Sequence, residues 1–166
     1  MHSPGISVGG HCIPVYPHLY LQSDPNAELI SLARSINKSA PARALNLLEL
    51  LDGNLEGKKI LISGLSFRTG VKESAFSGAF DLYIELEARG ARPAVVDELF
   101  TPEEVQAQKL NVVGSTQEFD ALVVNSGTRE FNMSLLRLLK QGAPVLDGRG
   151  LLDRNDYEFL IHIGEA

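Results

Sequence analysis

The only cysteine of the chain lies in the segment Gly9-Gly10-His11-Cys12-Ile13-Pro14, after two glycines and shortly before a proline. A thiolate is a strong nucleophile, and nearby positive charge favours its formation. Glycines carry no Cβ and let a backbone approach a ligand closely. These residue types indicate a ligand-binding loop with a nucleophilic thiol. The alternative is that Cys12 is a small buried residue, as free cysteines often are.

Three basic side chains form a second group that could do chemistry: Arg68, Lys72 and Arg149. All three follow short apolar runs that have the appearance of strands. Cationic side chains that meet at one place bind phosphate even when the protein is acidic overall. If they converge, they predict a site for a phosphate-bearing ligand. The alternative is that each is a solvated surface charge.

The apolar pattern supplies the elements that would bring these residues together. Five short apolar runs are typical of strands, four of them buried and the last in the tail: 59–63, 93–96, 121–124, 144–146 and 159–163. Helices are predicted between them, over 77–89, from Thr101 and over 133–140. Strands that alternate with helices predict an α/β fold with a Rossmann-like open parallel sheet covered on both faces. Such sheets bind ligands beyond the carboxyl ends of their strands, where the three cations would lie.

A long central helix is predicted ahead of the sheet, over residues 25–52. Asp24-Pro25 suits an N-cap and first turn, and Pro41 is expected to kink or briefly break the helix. Within the segment 44–51, leucines occupy most of the circumference of the helix, so we expect it to be buried on more than one side. Core packing and an interface between two copies of the chain both explain such a helix. Residues 1–24, rich in proline and glycine, are predicted to form an irregular loop.

Composition and charge limit the classes of protein. The chain has 166 residues, 44% of them apolar and 22% charged, which suits one domain with a sizeable core plus an appendage. A net charge of -6 without a run of Lys or Arg argues against a nucleic-acid partner, and no apolar run reaches membrane-spanning length. A single cysteine excludes an internal disulfide framework and fits a reducing, cytoplasmic location.

The fingerprint of dinucleotide-binding domains does not follow the first strand. Gly64 stands there without the second and third glycines of G-x-G-x-x-G, so this sheet is a poor candidate for holding NAD in the usual way. Asp97 ends the second strand, where a ribose-binding acid would stand. Without the glycine loop, an ordinary turn or cap is the better interpretation of Asp97.

The cysteine segment, extended to Val15, resembles the catalytic-cysteine loop of the UDP-glucose/GDP-mannose dehydrogenase family. His11 and Ile13 favour its UDP-N-acetylmannosamine branch, since the glucose branch tends to have Ser and Phe there. The segment 64–68 is similar to the family's Gly-Leu-x-Phe-Lys, and 72–74 and 147–149 are similar to its Arg-Glu-Ser and Asp-x-Arg. The resemblance covers nearly the whole chain, which corresponds to the C-terminal part of the family.

This resemblance implies a reaction and its residues. Cys12 would be the catalytic nucleophile that attacks a sugar aldehyde, and a second oxidation would give a thioester that water hydrolyses. The overall reaction would oxidise the C6 alcohol of a UDP-sugar, UDP-N-acetylmannosamine first among the candidates, to the uronate with two NAD. The residues implied to bind the substrate are Gly9, Gly10, His11, Ile13, Phe67, Arg68 and Arg149. Lys72 would reach toward the NAD pyrophosphate held by another domain.

The resemblance also implies three regions: a catalytic-cysteine loop over 1–24, a central dimerisation helix over 25–52 and a UDP-sugar-binding domain over 53–166. The NAD domain, with the family's catalytic lysine and asparagine, would lie before Met1. We therefore expect a fragment that has no turnover by itself and that forms a homodimer through the central helix.

One position departs from the family pattern. The family commonly has Asp four residues after the cysteine, where it helps to activate water, and this chain has Tyr16. A tyrosine hydroxyl is a poor general base near neutral pH. His18 and His11 are the alternative proton acceptors, unless both are ordinary loop histidines that accept local hydrogen bonds.

Three functions stay open at this stage. The chain is the substrate-binding half of a UDP-sugar dehydrogenase, a stand-alone nucleotide-binding module without chemistry, or a cysteine-dependent enzyme that uses no nicotinamide. Binding of UDP favours the first two, and a strand followed by G-x-G-x-x-G in an upstream sequence would favour the first over the second.

Overall fold

The computed structural model describes residues 5–114 and 117–163. Within these ranges the helices are α1 (Cys12–Ser23), α2 (Glu28–Asp52), α3 (Gly78–Ala88), α4 (Pro102–Ala107) and α5 (Arg129–Leu135), the last continued by a 3-10 turn over Leu136–Leu138. The strands are β1 (Lys59–Ser63), β2 (Arg92–Val96), β3 (Ala121–Val124), β4 (Val145–Asp147) and β5 (Leu160–His162).

The five strands form one parallel sheet in the order β2-β1-β3-β4-β5. Ile62 of β1 lies opposite Val95 on one side and Val123 on the other. The chain builds outward from β1 to β2 and then resumes on the opposite side with β3. The strand order therefore reverses between β1 and β3, which is where ligands of open α/β sheets bind.

Alternation along the strands creates two cores. On one face Ile60, Ile62 and Val123 pack with buried leucines of α2 and α3. On the other face Leu61 and Leu122 pack with Phe119 and Leu135. Both faces of the sheet are covered, so the predicted Rossmann-like α/β fold, preceded by a long helix, is confirmed.

The prediction of an irregular loop over 1–24 is wrong for residues 12–23, which form α1. Pro14 is the third residue of this helix, within the first turn, where a backbone N–H has no partner inside the helix. Pro17 lies further inside α1 and costs it one backbone hydrogen bond. Cys12 is the first residue of the helix. The two glycines lie before it, in the non-helical segment 5–11, which we call the strap.

Of the kink or brief break predicted at Pro41, the break is wrong, because α2 is continuous over 25 residues. Pro41 has no N–H to donate to the carbonyl of Asn37, four residues earlier, so the helix continues with one backbone hydrogen bond fewer. The helix also begins later than expected, with Ala27 rather than Asp24 at its N-cap.

Burial along the second half of α2 is confined to a stripe. Leu45 and Leu48 are completely buried, whereas Leu50 is 80% exposed and Leu51 51% exposed. The expectation that 44–51 is buried on more than one side is therefore wrong. Among the described helices, none combines the length and the apolar character needed to cross a membrane.

Most other element predictions match within one residue. The strands at 59–63 and 121–124 are as predicted, and Thr101 caps α4 with the predicted capping box. The exception is α5, which begins at Arg129 rather than at 133, because Thr128 caps it through its hydroxyl.

Candidate functional site

Asp97 organises the loop that follows β1. One oxygen of its buried carboxylate accepts hydrogen bonds from the backbone N–H groups of Leu65 and Ser66, at 2.7 and 2.9 Å. The other oxygen accepts from Leu99 and Phe100. These bonds match the turn-and-cap interpretation of Asp97 and leave its carboxylate engaged with the protein.

The loop after β3 closes the space above the end of β1. Asn125 donates to the carbonyl of Gly64 at 2.9 Å, and the Ser126 hydroxyl donates to the carbonyl of Ser66 at 2.8 Å. Gly64 has φ +92, and a Cβ there would lie 2.6 Å from the backbone nitrogen of Ser126. Protein atoms therefore fill the position where a dinucleotide pyrophosphate approaches the first turn of a Rossmann fold, and these residues do not fit NAD.

Arg149 spans the carboxyl ends of the strands beside the switch point. Its Nε donates to the carbonyl of Asn125 at 2.7 Å, and an Nη donates to the carbonyl of Phe67 at 2.8 Å. The buried Asp147 accepts backbone N–H bonds from Arg149 through Leu152 and so fixes the loop that carries the arginine. Burial lowers the pKa of Arg149 from its ordinary value, and the Asp147 charge opposes that shift. The structure thus joins Arg149 and Phe67, two of the predicted substrate-binding residues.

The other two cations lie differently. Arg68 is exposed, and its side chain makes no hydrogen bond or ion pair with the residues that the structure describes. The ammonium of Lys72 pairs with Glu104 of α4 at 2.6 Å and lies 5.4 Å from the centre of the Phe100 ring. Lys72 is therefore held on the β2 side of the sheet edge, with its charge balanced by a carboxylate.

The glycines of the cysteine segment pack tightly on Phe67. Gly10 is buried with φ +85, and a Cβ there would lie 3.1 Å from the Phe67 ring. A Cβ on Gly9 would lie 2.9 Å from the Phe67 Cβ. The Gly10 N–H donates to the carbonyl of Ala75 at 2.9 Å. The glycines permit close packing of the cysteine segment against the loop after β1, two residues before Cys12.

Glu73 connects His11 to the same loop. One carboxylate oxygen lies 3.2 Å from Nε2 of His11, and the other accepts the Ala75 N–H at 2.9 Å. The Ala75 hydrogen bond and the His11 contact lower the pKa of Glu73. Cys12 itself is exposed, so the alternative of a buried structural cysteine is wrong. Ile13 is also exposed, next to the thiol.

The sequence analysis missed Asn37, which fastens the cysteine segment to α2. Its side-chain oxygen accepts the Val8 N–H at 2.8 Å, and its amide donates to the Val8 carbonyl at 3.1 Å. Ile6, two residues earlier, is buried in the core. The segment is therefore anchored at Ile6, Val8 and Gly10, immediately before the cysteine. Nothing in the spacing of a polar residue on α2 marks it as an anchor.

The remaining predicted site residues lie on α1. Tyr16 and His18 are both exposed, and His18 borders a cavity between α1 and α2 rather than the Phe67 side of the cysteine segment. Among the described residues there is no cluster of three His, Cys, Asp or Glu side chains that could hold a metal ion.

Together these features define a Rossmann-like α/β domain whose exposed cysteine follows a segment packed on Phe67, in the loop after β1. In comparisons with known proteins, residues 61–154 match the model of the UDP-glucose/GDP-mannose dehydrogenase family, UDP binding domain. A UDP-N-acetyl-D-mannosamine dehydrogenase of Campylobacter jejuni is 33% identical over 96 residues, which are 57% of this chain and 24% of that protein. The enzyme of that name from Pyrococcus horikoshii is 27% identical over 96% of this chain and 39% of its own length.

Solved structures agree on the fold. The structure of UDP-D-ManNAc dehydrogenase from Pyrococcus horikoshii superposes with a TM-score of 0.79 at 24% identity, over 98% of this chain and 40% of that one. A UDP-glucose dehydrogenase from Pyrobaculum islandicum superposes with a TM-score of 0.75 at 22% identity, over 94% and 38%.

The chain belongs to the UDP-glucose/GDP-mannose dehydrogenase family and contains its UDP-binding domain. It spans between about a quarter and two fifths of the length of the two curated relatives named above.

Proposed function

We propose that this chain is the substrate-binding part of an oxidoreductase that converts the C6 alcohol of a UDP-sugar, UDP-N-acetylmannosamine first among the candidates, to the uronate. The observation that carries the proposal is the packing of the cysteine segment on Phe67, next to Arg149, at the switch point of a UDP-binding domain. Two relatives that bear the name UDP-N-acetyl-D-mannosamine dehydrogenase support the choice of sugar.

In this proposal the nucleotide is bound by residues at the carboxyl ends of the strands, which we call the rim of the sheet. Arg68 and Arg149 supply positive charge for the diphosphate, and Phe67 supplies an apolar surface at the same point. Arg68 is suited to this role because its guanidinium is exposed and makes no ion pair with described residues. Arg149 is suited because two backbone carbonyls hold it rigidly.

Cys12 performs the covalent chemistry. Its sulfur bonds to C6 of the sugar aldehyde while the carbonyl oxygen takes a proton, and oxidation of this adduct gives a thioester. Water then adds to the thioester carbonyl, and the C–S bond breaks to release the uronate and the thiolate. Two two-electron oxidations are needed, from the C6 alcohol to the aldehyde and from the adduct to the thioester, and two molecules of NAD would supply the oxidising power. Because the described residues do not fit NAD, it is held by another part of the protein, with Lys72 as the contact from this chain.

His11 replaces the usual aspartate as proton acceptor. The ionised Glu73 carboxylate can only accept a hydrogen bond, so the proton of a neutral His11 lies on Nε2 and Nδ1 carries a lone pair. A lone pair on the residue next to the nucleophile suits removal of a proton from the thiol or from the attacking water. His18, on the α2 side of α1, is the less suited candidate.

We also propose that α2 forms a homodimer interface. Leu29, Leu32 and Ile36 lie on one side of the helix at helical spacing and are 80%, 58% and 49% exposed. An apolar stripe of this kind on a surface helix favours self-association.

Isothermal titration calorimetry with UDP, UDP-N-acetylmannosamine and NAD tests the function. We expect saturable binding of both uridine ligands and none of NAD. Arg68→Gln should weaken UDP binding about tenfold, as loss of a charge-assisted phosphate contact does. Arg92→Gln, at the start of β2 and away from the rim, is the matched control.

Absence of UDP binding would overturn the proposal. UDP binding without any effect of UDP-sugar on Cys12 reactivity would favour a stand-alone nucleotide-binding module instead.

A further inference from the structure

We propose a second anion-binding site in the cavity between α1, α2 and the start of α3, for a small molecule that carries a phosphate or carboxylate group beside an apolar part. The cavity has a volume of about 730 Å³, within the range of sites for small molecules. The residues assigned above to the UDP-sugar and to NAD do not line it. The inference is independent of the proposed function.

The cavity contains two cationic side chains, both from α2. Arg34 and Lys38 lie one turn apart on α2, and His18 faces them from α1. Like charges at this spacing destabilise a helix unless something compensates them. In residues 5–114 and 117–163, no hydrogen bond or ion pair engages the side chain of Arg34 or of Lys38. Asp81 offsets part of the Lys38 charge, and an anion bound between Arg34 and Lys38 would compensate the remainder.

Arg34 carries the most direct indication of a ligand. Its Nε is buried and has no hydrogen-bond partner. A buried donor that lacks an acceptor costs about 1–3 kcal/mol, so such atoms call for a specific explanation. A phosphate or carboxylate oxygen is the acceptor that a guanidinium binds best.

The other residues that line the cavity indicate that the ligand has an apolar part beside its anionic group. Leu21, Phe76 and Phe80 provide apolar surface, while the Ser31 and Ser35 hydroxyls lie on the same side of α2 as the two cations. Hydroxyl groups add neutral donors for the remaining oxygens of an anion. The combination fits an anionic group next to an aliphatic or aromatic portion.

Asp81 is the one carboxylate among the lining residues. It lies in the first turn of α3, where burial raises its pKa and the Lys38 charge opposes the shift. An ionised Asp81 repels an anion, so the ligand should bind toward α1 and α2. Removing this charge should strengthen binding.

The test uses inorganic phosphate as the probe, titrated into the chain with and without saturating UDP and followed by ¹H–¹⁵N NMR. We expect saturable shifts at Arg34, Ser35 and Lys38 that persist with UDP present. The double variant Arg34→Gln, Lys38→Gln should weaken phosphate binding at least about tenfold. Asp81→Asn should strengthen it.

The matched control is Arg43→Gln, because Arg43 is a cation on the same helix whose guanidinium contacts Ser39 and Ile36 instead. It should leave phosphate binding unchanged. The thermal midpoint of each variant verifies folding. Equal phosphate affinity in the wild type and the double variant, or shifts confined to residues around Phe67 and Arg149, would overturn the proposal. Failure of UDP to bind would overturn the proposed function but not this site, since the α2 variants report on it directly.

Discussion

Single residues decide how the cysteine is presented. Asn37 is the clearest case. Its side-chain oxygen and its side-chain nitrogen each form a hydrogen bond with the backbone of Val8, four residues before Cys12. A two-point bond of this kind fixes the position and the direction of an extended segment. The packing of Gly9 and Gly10 on Phe67 depends on that direction.

Asn37→Ala should therefore loosen the strap without removing any part of the proposed chemistry. We expect the free energy of unfolding to fall by about 1–2 kcal/mol, the value of two partly exposed hydrogen bonds, and UDP affinity to fall with it. Urea denaturation and calorimetry measure the two effects.

Asn26→Ala is the control, since Asn26 lies in the turn before α2 and bonds its described neighbours through its backbone N–H and C=O, which the substitution keeps. Unchanged stability and UDP affinity in Asn37→Ala would show that the strap holds its position by core packing alone.

At this scale the sequence indicates residue types better than partners. Cys12, Phe67 and Arg149 are recognisable from their motifs, and the structure packs Phe67 against both Arg149 and the glycines that precede Cys12. Lys72 is also recognisable from its motif. Its partner Glu104, however, lies on α4, and no local sequence pattern links that helix to Lys72. Long-range pairs of this kind depend on the packing of whole elements, which a single sequence does not encode locally.

The elements show where local rules succeed. The strands could be predicted because their apolar runs are short and end at Gly, Asp or Asn, and the sheet buries them on both faces. Helix α1 was missed because prolines in its first half look like loop residues, although a first turn accepts proline. Pro41 misled for a related reason: a proline removes one hydrogen bond from a helix without necessarily ending it, and α2 continues through Pro41.

The exposed stripe of α2 belongs to the scale of the element. In solution the chain should form a dimer at micromolar concentration, and the double variant Leu32→Glu, Ile36→Glu should be monomeric, because two carboxylates cannot be buried unpaired in an apolar interface. Size-exclusion chromatography with light scattering measures the mass.

Ile84→Glu serves as the control, because Ile84 is 64% exposed on α3 and lies outside the stripe. A wild-type chain that is strictly monomeric would contradict the proposed interface.

At the scale of the whole molecule, the fold brings the basic residues at the edge of the sheet close to the N-terminal strap, although the two are far apart in sequence. The sheet contributes a rim with Arg68 and Arg149, and the N-terminal strap contributes a thiol, with Phe67 as the contact between them. The first is typical of nucleotide binding and the second of covalent catalysis. The family match, over residues 61–154, covers β2, β3 and β4 but not the segment before Cys12, so the proposed link between the nucleotide and the thiol rests on the packing of that segment.

The rate at which iodoacetamide alkylates Cys12 tests that link directly. At a UDP-N-acetylmannosamine concentration that calorimetry shows to be saturating, we expect alkylation to slow severalfold, and UDP, which lacks the sugar, should protect less. In Arg68→Gln at the same ligand concentration the protection should be largely lost. An alkylation rate that saturating UDP-sugar leaves unchanged would mean that the thiol and the nucleotide site are separate, and would contradict the account.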